Sequence, residues 1–233
     1  MDANELYDPE FRKLIKSKKP TIIIPVGSLE QHGAHLPITT DSDIVTEIAS
    51  RLAKKCGFIV LPTVNYGISE EHDPFFNISL DKQTLLKILK NIDSSLFKNK
   101  YHMKSIIILN GHHGNVEPLH QLLEMHYQLD IKPRVYSYWH FMEHEFDHAG
   151  FVETSIMLAI SDKVKMKKAK KGFTTKGLIQ KEIQSINKLS TQPGGFPKVA
   201  KNGVWGDPTK ATKKDGEKFL AEIVRNLAKE CQS

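Results

Sequence analysis

Residues 21–37 read TIIIPVGSLEQHGAHLP, and the fold turns on this stretch. Thr21–Val26 is a short β-branched apolar run closed by Gly27 and Ser28, the pattern of a strand buried on both faces. In open parallel α/β sheets, ligands bind in the crevice beyond the carboxyl ends of the strands. The chain places Glu30 and His32 there. Alternate residues of an extended chain point the same way, so these two side chains face one site. Asp41 follows in ITTDSD, 38–43. Taken singly, Glu30 reads equally well as a solvated turn residue and Asp41 as a helix cap.

Outward from this segment, helical and strand signals alternate. Ile44, Val45, Ile48, Ala49 and Leu52 have helical spacing, which predicts a helix over about 42–55 capped by Asp41 or Ser42. Phe58–Pro62 reads as a second strand, and Leu85, Leu86, Leu89, Ile92 and Leu96 mark an amphipathic helix. Ser105–Leu109 is a third strand, Val116–Leu129 a helix and Arg134–Tyr138 a fourth strand. Val152–Ile160 reads as a buried helix, Lys188–Thr212 as a long Gly/Pro/Lys-rich loop, and Lys213–Lys229 as a final amphipathic helix. This alternation implies a mainly parallel sheet between helical layers, a three-layer α/β/α sandwich formed by one domain over residues 1–233.

Composition narrows the function. The 233 residues hold no apolar run near the ~20 needed to cross a bilayer, and the start MDANELYDPEFRK lacks a signal-peptide core, so a soluble cytoplasmic protein is expected. Cys56 and Cys231, the two cysteines, form neither a CxxC pair nor a scaffold pattern, which argues for a reducing compartment and against a thiolate zinc site. The net charge of +6 arises largely from lysines such as Lys163, Lys165, Lys167, Lys168, Lys170 and Lys171. With no nucleic-acid motif or interleaved aromatics beside them, they read as a solvated face, and neither nucleic acid nor membrane is an expected partner.

Two further segments concentrate ligand chemistry. NGHHGN, 110–115, directly follows the third strand, where Gly111 and Gly114 permit a tight turn with close backbone approach. DHAGFVETS, 147–155, presents His148 on a loop and Glu153 in the first turn of a helix. A carboxylate at that position also complements the helix dipole, which is the plainer reading of Glu153 alone. Together the segments offer two histidines and three carboxylates, enough for two divalent ions that share one carboxylate. Such an oxygen and imidazole donor set suits zinc, manganese or ferrous iron. Two such ions ~3.5–4 Å apart activate water and polarise a carbonyl. His35 reads as an outer partner or packing group, and His140 and His144 either line the pocket or pack at its rim.

PVGSLEQHGAHLP with TD, NGHHGN, HAGFVETS and GVWGDPTKAT, in this order, resemble the creatininase (creatinine amidohydrolase) family over residues 21 to about 227. The resemblance implies an α/β/α domain with a dinuclear metal centre that hydrolyses a non-peptide amide C–N bond of a small substrate. It also implies a homo-oligomer, often a hexamer built as a trimer of dimers. On the matching positions it makes Glu30, His32, Asp41 and His112 metal ligands with Asp41 bridging, and His148 the acid/base that protonates the leaving nitrogen. Creatininase has Tyr-Glu after the NGH histidine, the Glu being a ligand; here His113 and Gly114 stand there, and Glu153 is the expected replacement.

A further family motif appears as SEEHDPFFNISL, 69–80, which keeps Ser69, Glu71 and His72 but lacks a Pro-Gly and is one residue shorter. That departure argues against creatinine itself. Glu71, His72 and His113 are expected to contact substrate. Within the family, deformylation of a formamidopyrimidine ribonucleotide is the alternative activity, with Lys or Arg of the 160–215 region holding its phosphate. Two readings from other classes remain: an inactive metal-binding assembly protein, and a two-metal phosphoesterase.

Overall fold

The computed structural model describes residues 1–98, 103–124 and 133–232. Its centre is a four-stranded parallel sheet, β1 Thr21–Val26, β2 Ile59–Val60, β3 Ser105–Asn110 and β4 Arg134–Ser137, in the order β2-β1-β3-β4. Eight helices accompany it among the described residues: α1 Asp8–Lys18, α2 Thr40–Cys56, α3 Lys82–Lys98, α4 Val116–Glu124, α5 Phe151–Ile160, α6 Gln180–Ser190, α7 Phe196–Val199 and α8 Lys213–Gln232.

The strand period of two sorts the isoleucines onto opposite faces. Ile23, Ile107 and Leu109 pack with Ile44, Ile48, Ile156, Leu220 and Ile223 of α2, α5 and α8. Their neighbours Ile22, Ile24, Val26, Ile106 and Ile108 pack with Leu85, Leu89 and Leu119 of α3 and α4, and Phe11 and Leu14 of α1 join them. A sheet covered on both sides by helices is the expected three-layer sandwich. Ile22, Ile23 and Ile107 are fully buried, and each such side chain contributes about 1.5–3 kcal/mol relative to exposure.

The sheet order also fixes where ligands meet. From β1 the chain crosses to β2 on one side, and β3 pairs with the other side of β1. The carboxyl ends of β1 and β3 therefore flank a switch point, where the diverging connections leave a crevice. Residues 27–39 leave β1 into that crevice and residues 111–115 leave β3 into it.

Several boundaries move relative to expectation. α2 begins at Thr40 with Thr39 as its N-cap, so Asp41 lies inside the first turn rather than capping it, and Ser42 is likewise helical. β2 shrinks to two residues because Phe58, Leu61 and Pro62 lie outside the ladder with β1. α4 is described to Glu124; the expected continuation over 125–129 lies outside the described residues. The expected loop from Lys188 is partly helical: Lys188–Ser190 complete α6, and Phe196–Val199 form α7. α1 and α6 had no counterpart in the sequence pattern, since each offers only three apolar residues in a short polar segment. No helix among the described residues is long and apolar enough to cross a membrane.

Candidate metal centre

Four chain segments bring five candidate donor side chains into one buried cluster. The extended 27–34 segment is tied to its neighbours by backbone hydrogen bonds: Glu30 N–H donates to Ile38 O at 3.1 Å and Gln31 N–H to Phe76 O at 2.8 Å. Glu30 and His32 thereby turn inward. The first turn of α2 contributes Asp41, and the exit of β3 contributes His112. A Cβ at Gly111 would lie 2.8 Å from Asp41 O and 2.7 Å from Val45 Cβ, so only glycine lets the β3 exit ride against α2. Gly114 is held as tightly, against Ile68 O and the His112 ring. α5 delivers Glu153, whose Oε2 accepts the Ala149 N–H at 2.6 Å.

Glu30 and His32 are 0% exposed, Asp41 2%, His112 3% and Glu153 1%. Two triads of converging donor atoms share Asp41: Glu30, Asp41 and His112, and His32, Asp41 and Glu153. His32 Nε2 lies 3.1 Å from Asp41 Oδ1 and 3.6 Å from Glu153 Oε2. His112 Nδ1 lies 3.1 Å from Asp41 Oδ2, and its Nε2 3.3 Å from Glu30 Oε2. Yet Glu30 Oε1 and Oε2, Asp41 Oδ2 and Glu153 Oε1 have no hydrogen-bond partner. Apart from the His32 Nε2 to Asp41 Oδ1 hydrogen bond, the contacts are close in distance but not aligned as hydrogen bonds. Lone pairs that converge on common points without donors aimed at them are what cations require, and buried carboxylates left so without one carry a heavy desolvation cost. The residues fit divalent ions, and the mixed oxygen and imidazole set suits zinc, manganese or ferrous iron.

Electrostatics agree with that fit. Burial opposes charge on His32, but the Asp41 carboxylate and then Glu153 and Glu30 outweigh it and raise its pKa to about 10. His112 is raised well above the usual imidazole range despite burial, chiefly by Glu30 and Asp41. Glu153 is pushed up to about 8, first by burial, with Asp41 adding to it and His32 opposing. The protein matrix therefore calls for positive charge at this spot.

The remaining expected residues surround the cluster. His148 stacks on His32 with ring centroids 4.3 Å apart, and its Nδ1 lies 3.7 Å from Glu30 Oε1. Burial first, and then the charge on His32, hold its pKa well below the usual value, so it is a neutral imidazole. His72 Nε2 lies 3.1 Å from Glu30 Oε1, and Glu71 Oε1 lies 3.3 Å from His112 Nε2. His113 faces the cavity and stacks on Trp139 at 6.2 Å. His35 sits away from the cluster atoms, its Nε2 3.0 Å from Thr154 Oγ1, in a packing role. His140 and His144 do not line the cavity; they rest against Trp139, and against Phe151 and Phe219.

Sequence reasoning missed three groups. Gln31 Nε2 lies 3.0 Å from His72 Nδ1 and 3.1 Å from His148 Nε2, while its Oε1 accepts Gly33 N–H at 2.9 Å. Donating to His72 Nδ1, the carboxamide leaves the proton on Nε2, which lies near Glu30 Oε1 without making a hydrogen bond to it. Strand alternation had set Gln31 on the face opposite Glu30 and His32, and only the fold of the 69–80 loop brings His72 round to meet it. Asp147 caps α5, accepting Val152 N–H at 3.0 Å. Trp205 exchanges backbone hydrogen bonds of 3.1 and 2.8 Å with His148, pinning that loop; the GVWGDPTKAT motif was its only signal.

A parallel α/β sandwich with a buried imidazole and carboxylate cluster at its switch point defines a hydrolase-type site, and matches to known proteins place the chain among hydrolases of carbon–nitrogen bonds. The creatininase model, described as creatinine amidohydrolase, matches residues 4–231, and the chain belongs to that family. It is 33% identical over 224 residues, 92% of this chain and 85% of the relative, to a mycofactocin precursor peptide peptidase of Mycolicibacterium smegmatis. It is 28% identical over 230 residues, 94% of each chain, to a 2-amino-5-formylamino-6-ribosylaminopyrimidin-4(3H)-one 5'-monophosphate deformylase of Methanocaldococcus infernus. Among solved structures, a creatininase described as the Mn form superposes with TM-score 0.83 at 23% identity, covering 98% of this chain and 96% of that one. A Zn–Zn form of a creatininase mutant gives 0.79 at 24% identity with the same coverage.

Proposed function

We propose that this chain is a metal-dependent amidohydrolase that cleaves an amide C–N bond, and that Asp41 would help to hold each of two divalent ions. Glu30 and His112 would complete one ion's protein ligands, and His32 and Glu153 the other's. The observation that carries the reading is the set of four carboxylate oxygens, buried and without hydrogen-bond partners, among two imidazoles. Solved relatives described with manganese or zinc support it. Glu153, in place of the Glu that creatininase has after its NGH histidine, is supported by its approach to His32 within 3.6 Å.

When bound, such ions supply Lewis acidity that makes water nucleophilic at neutral pH and polarises the amide carbonyl. The protein's own groups do the rest. His148 is neutral, faces the cavity, and is pinned at its backbone by Trp205, so it can take a proton and return it to the leaving nitrogen. Gln31 and His72 hold Glu30 in place. The apolar faces of Phe196 and Trp205 limit water at the cavity wall. Retention of His148 beside every donor argues against an inactive assembly protein.

The test is metal analysis of protein purified without oxygen, followed by assay of formate, ammonia and phosphate release from a panel of small amides and phosphoesters. Two equivalents of metal with formate or ammonia release are expected. Phosphate release alone, or metal bound with no hydrolysis of any amide, refutes the reading.

A further inference from the structure

Above the cluster opens a cavity of about 520 Å³, large enough for a drug-sized ligand and far roomier than a five-membered lactam needs. Its charge is one-sided. Besides the three carboxylates of the cluster, Glu71, Glu145 and Asp147 line it, and no described lysine or arginine does, although the chain has 33 such residues. The basic side chains expected to hold a substrate phosphate do not line this cavity. The wall facing the cluster is α6, whose residues Gln180, Ile183 and Asn187 recur at helical spacing and all face the cavity. They offer two carboxamides and one apolar contact, without charge. α7 supports α6 and packs in turn on the Glu70–His72 turn, so this wall is built onto the segment that carries Glu71 and His72.

We infer that the pocket is selective for a drug-sized, non-anionic amide whose non-reacting end is bound by Gln180 and Asn187, and that phosphorylated amides are turned away. The inference rests on the amidohydrolase reading of the same cluster. At the wall formed by Gln180 and Asn187, a phosphate on the non-reacting end would shed water with no described lysine or arginine in the lining to pair with, and Glu71, Glu145 and Asp147 would oppose its charge both in approach and once bound. A neutral end meets donors and acceptors on Gln180 and Asn187 that suit either polarity.

The experiment uses the full chain loaded with manganese and a matched pair of probes, N-formyltyramine and its O-phosphate. Binding is measured by calorimetry, and formate release is followed in parallel. The neutral probe is expected to bind at least about tenfold more tightly at low ionic strength, and the difference should shrink at 0.5 M salt as the carboxylates are screened. Gln180→Ala with Asn187→Ala should raise KM for the neutral probe more than it lowers kcat, at unchanged metal content. Gln180→Lys should improve binding of the phosphate. Equal or tighter binding of the phosphate by the wild type overturns the inference, as does binding of neither probe. Selective binding of the neutral probe without formate release upholds the pocket assignment while refuting formamide hydrolysis.

Discussion

Removing the metal should destabilise this protein, and increasingly so as the pH rises. In the metal-free chain, charge at the cluster is balanced by protons: His32 has its pKa raised to about 10, and Glu153 to about 8. Both values lie above those of the unfolded chain, about 6.5 and 4.3. Their contributions are therefore complete below the unfolded values and fade as the pH climbs through the folded ones, so the two overlap between pH 6.5 and 8. Each proton held only in the folded state weakens stability by about 1.4 kcal/mol per pH unit there. The metal-loaded chain runs the other way, because its ligands must be deprotonated to bind. At metal concentrations near 100 times Kd the loaded form gains about 2.7 kcal/mol, which for a chain of this size raises Tm by about 5–11 °C. Calorimetric scans of chelator-stripped and metal-saturated protein at pH 7, 8 and 9 test this. A gap in Tm that widens with pH is expected; a stripped protein that grows more stable from pH 7 to 9, or a Tm indifferent to metal, refutes the reasoning.

Three other outcomes follow from the same geometry. Asp41→Asn removes a donor from both triads, so metal analysis should show both ions lost, whereas His32→Ala should spare the site formed by Glu30, Asp41 and His112. His148→Ala should lower kcat by about 10²–10⁴-fold with metal content intact; full activity would remove His148 from proton transfer. Gln31→Leu leaves His72 Nδ1 without its donor, so the ring loses its fixed orientation and metal affinity should fall by about 10–100-fold; Gln31→Glu should not restore it, since a carboxylate cannot donate to Nδ1.

The positions of the main strands along the chain and the layered architecture were legible in the sequence because buried parallel strands leave a compositional mark: TIIIPV and SIIIL are continuous apolar runs that a chain cannot place elsewhere. The chemistry-bearing segments were legible because each follows such a run or opens a helix, positions that a parallel sheet collects at one edge. Helices α1 and α6 escaped because each is short and carries only three apolar residues among polar ones, too sparse a pattern to stand out along the chain. The capping role expected of Asp41 failed for a related reason: a two-residue difference in where α2 starts turns a cap into an inward-facing side chain.

By itself, then, the sequence determined the strands and the sheet class and offered the candidate donor residues, since these depend on local pattern and on what each side chain can ligate. The tertiary structure alone decided that Asp41 belongs to two triads, that Gln31 reaches His72 and His148, and that no described lysine or arginine lines the pocket. Those facts depend on distances between segments as far apart as residues 31 and 148, set by how loops pack across the crevice, and no local pattern encodes them.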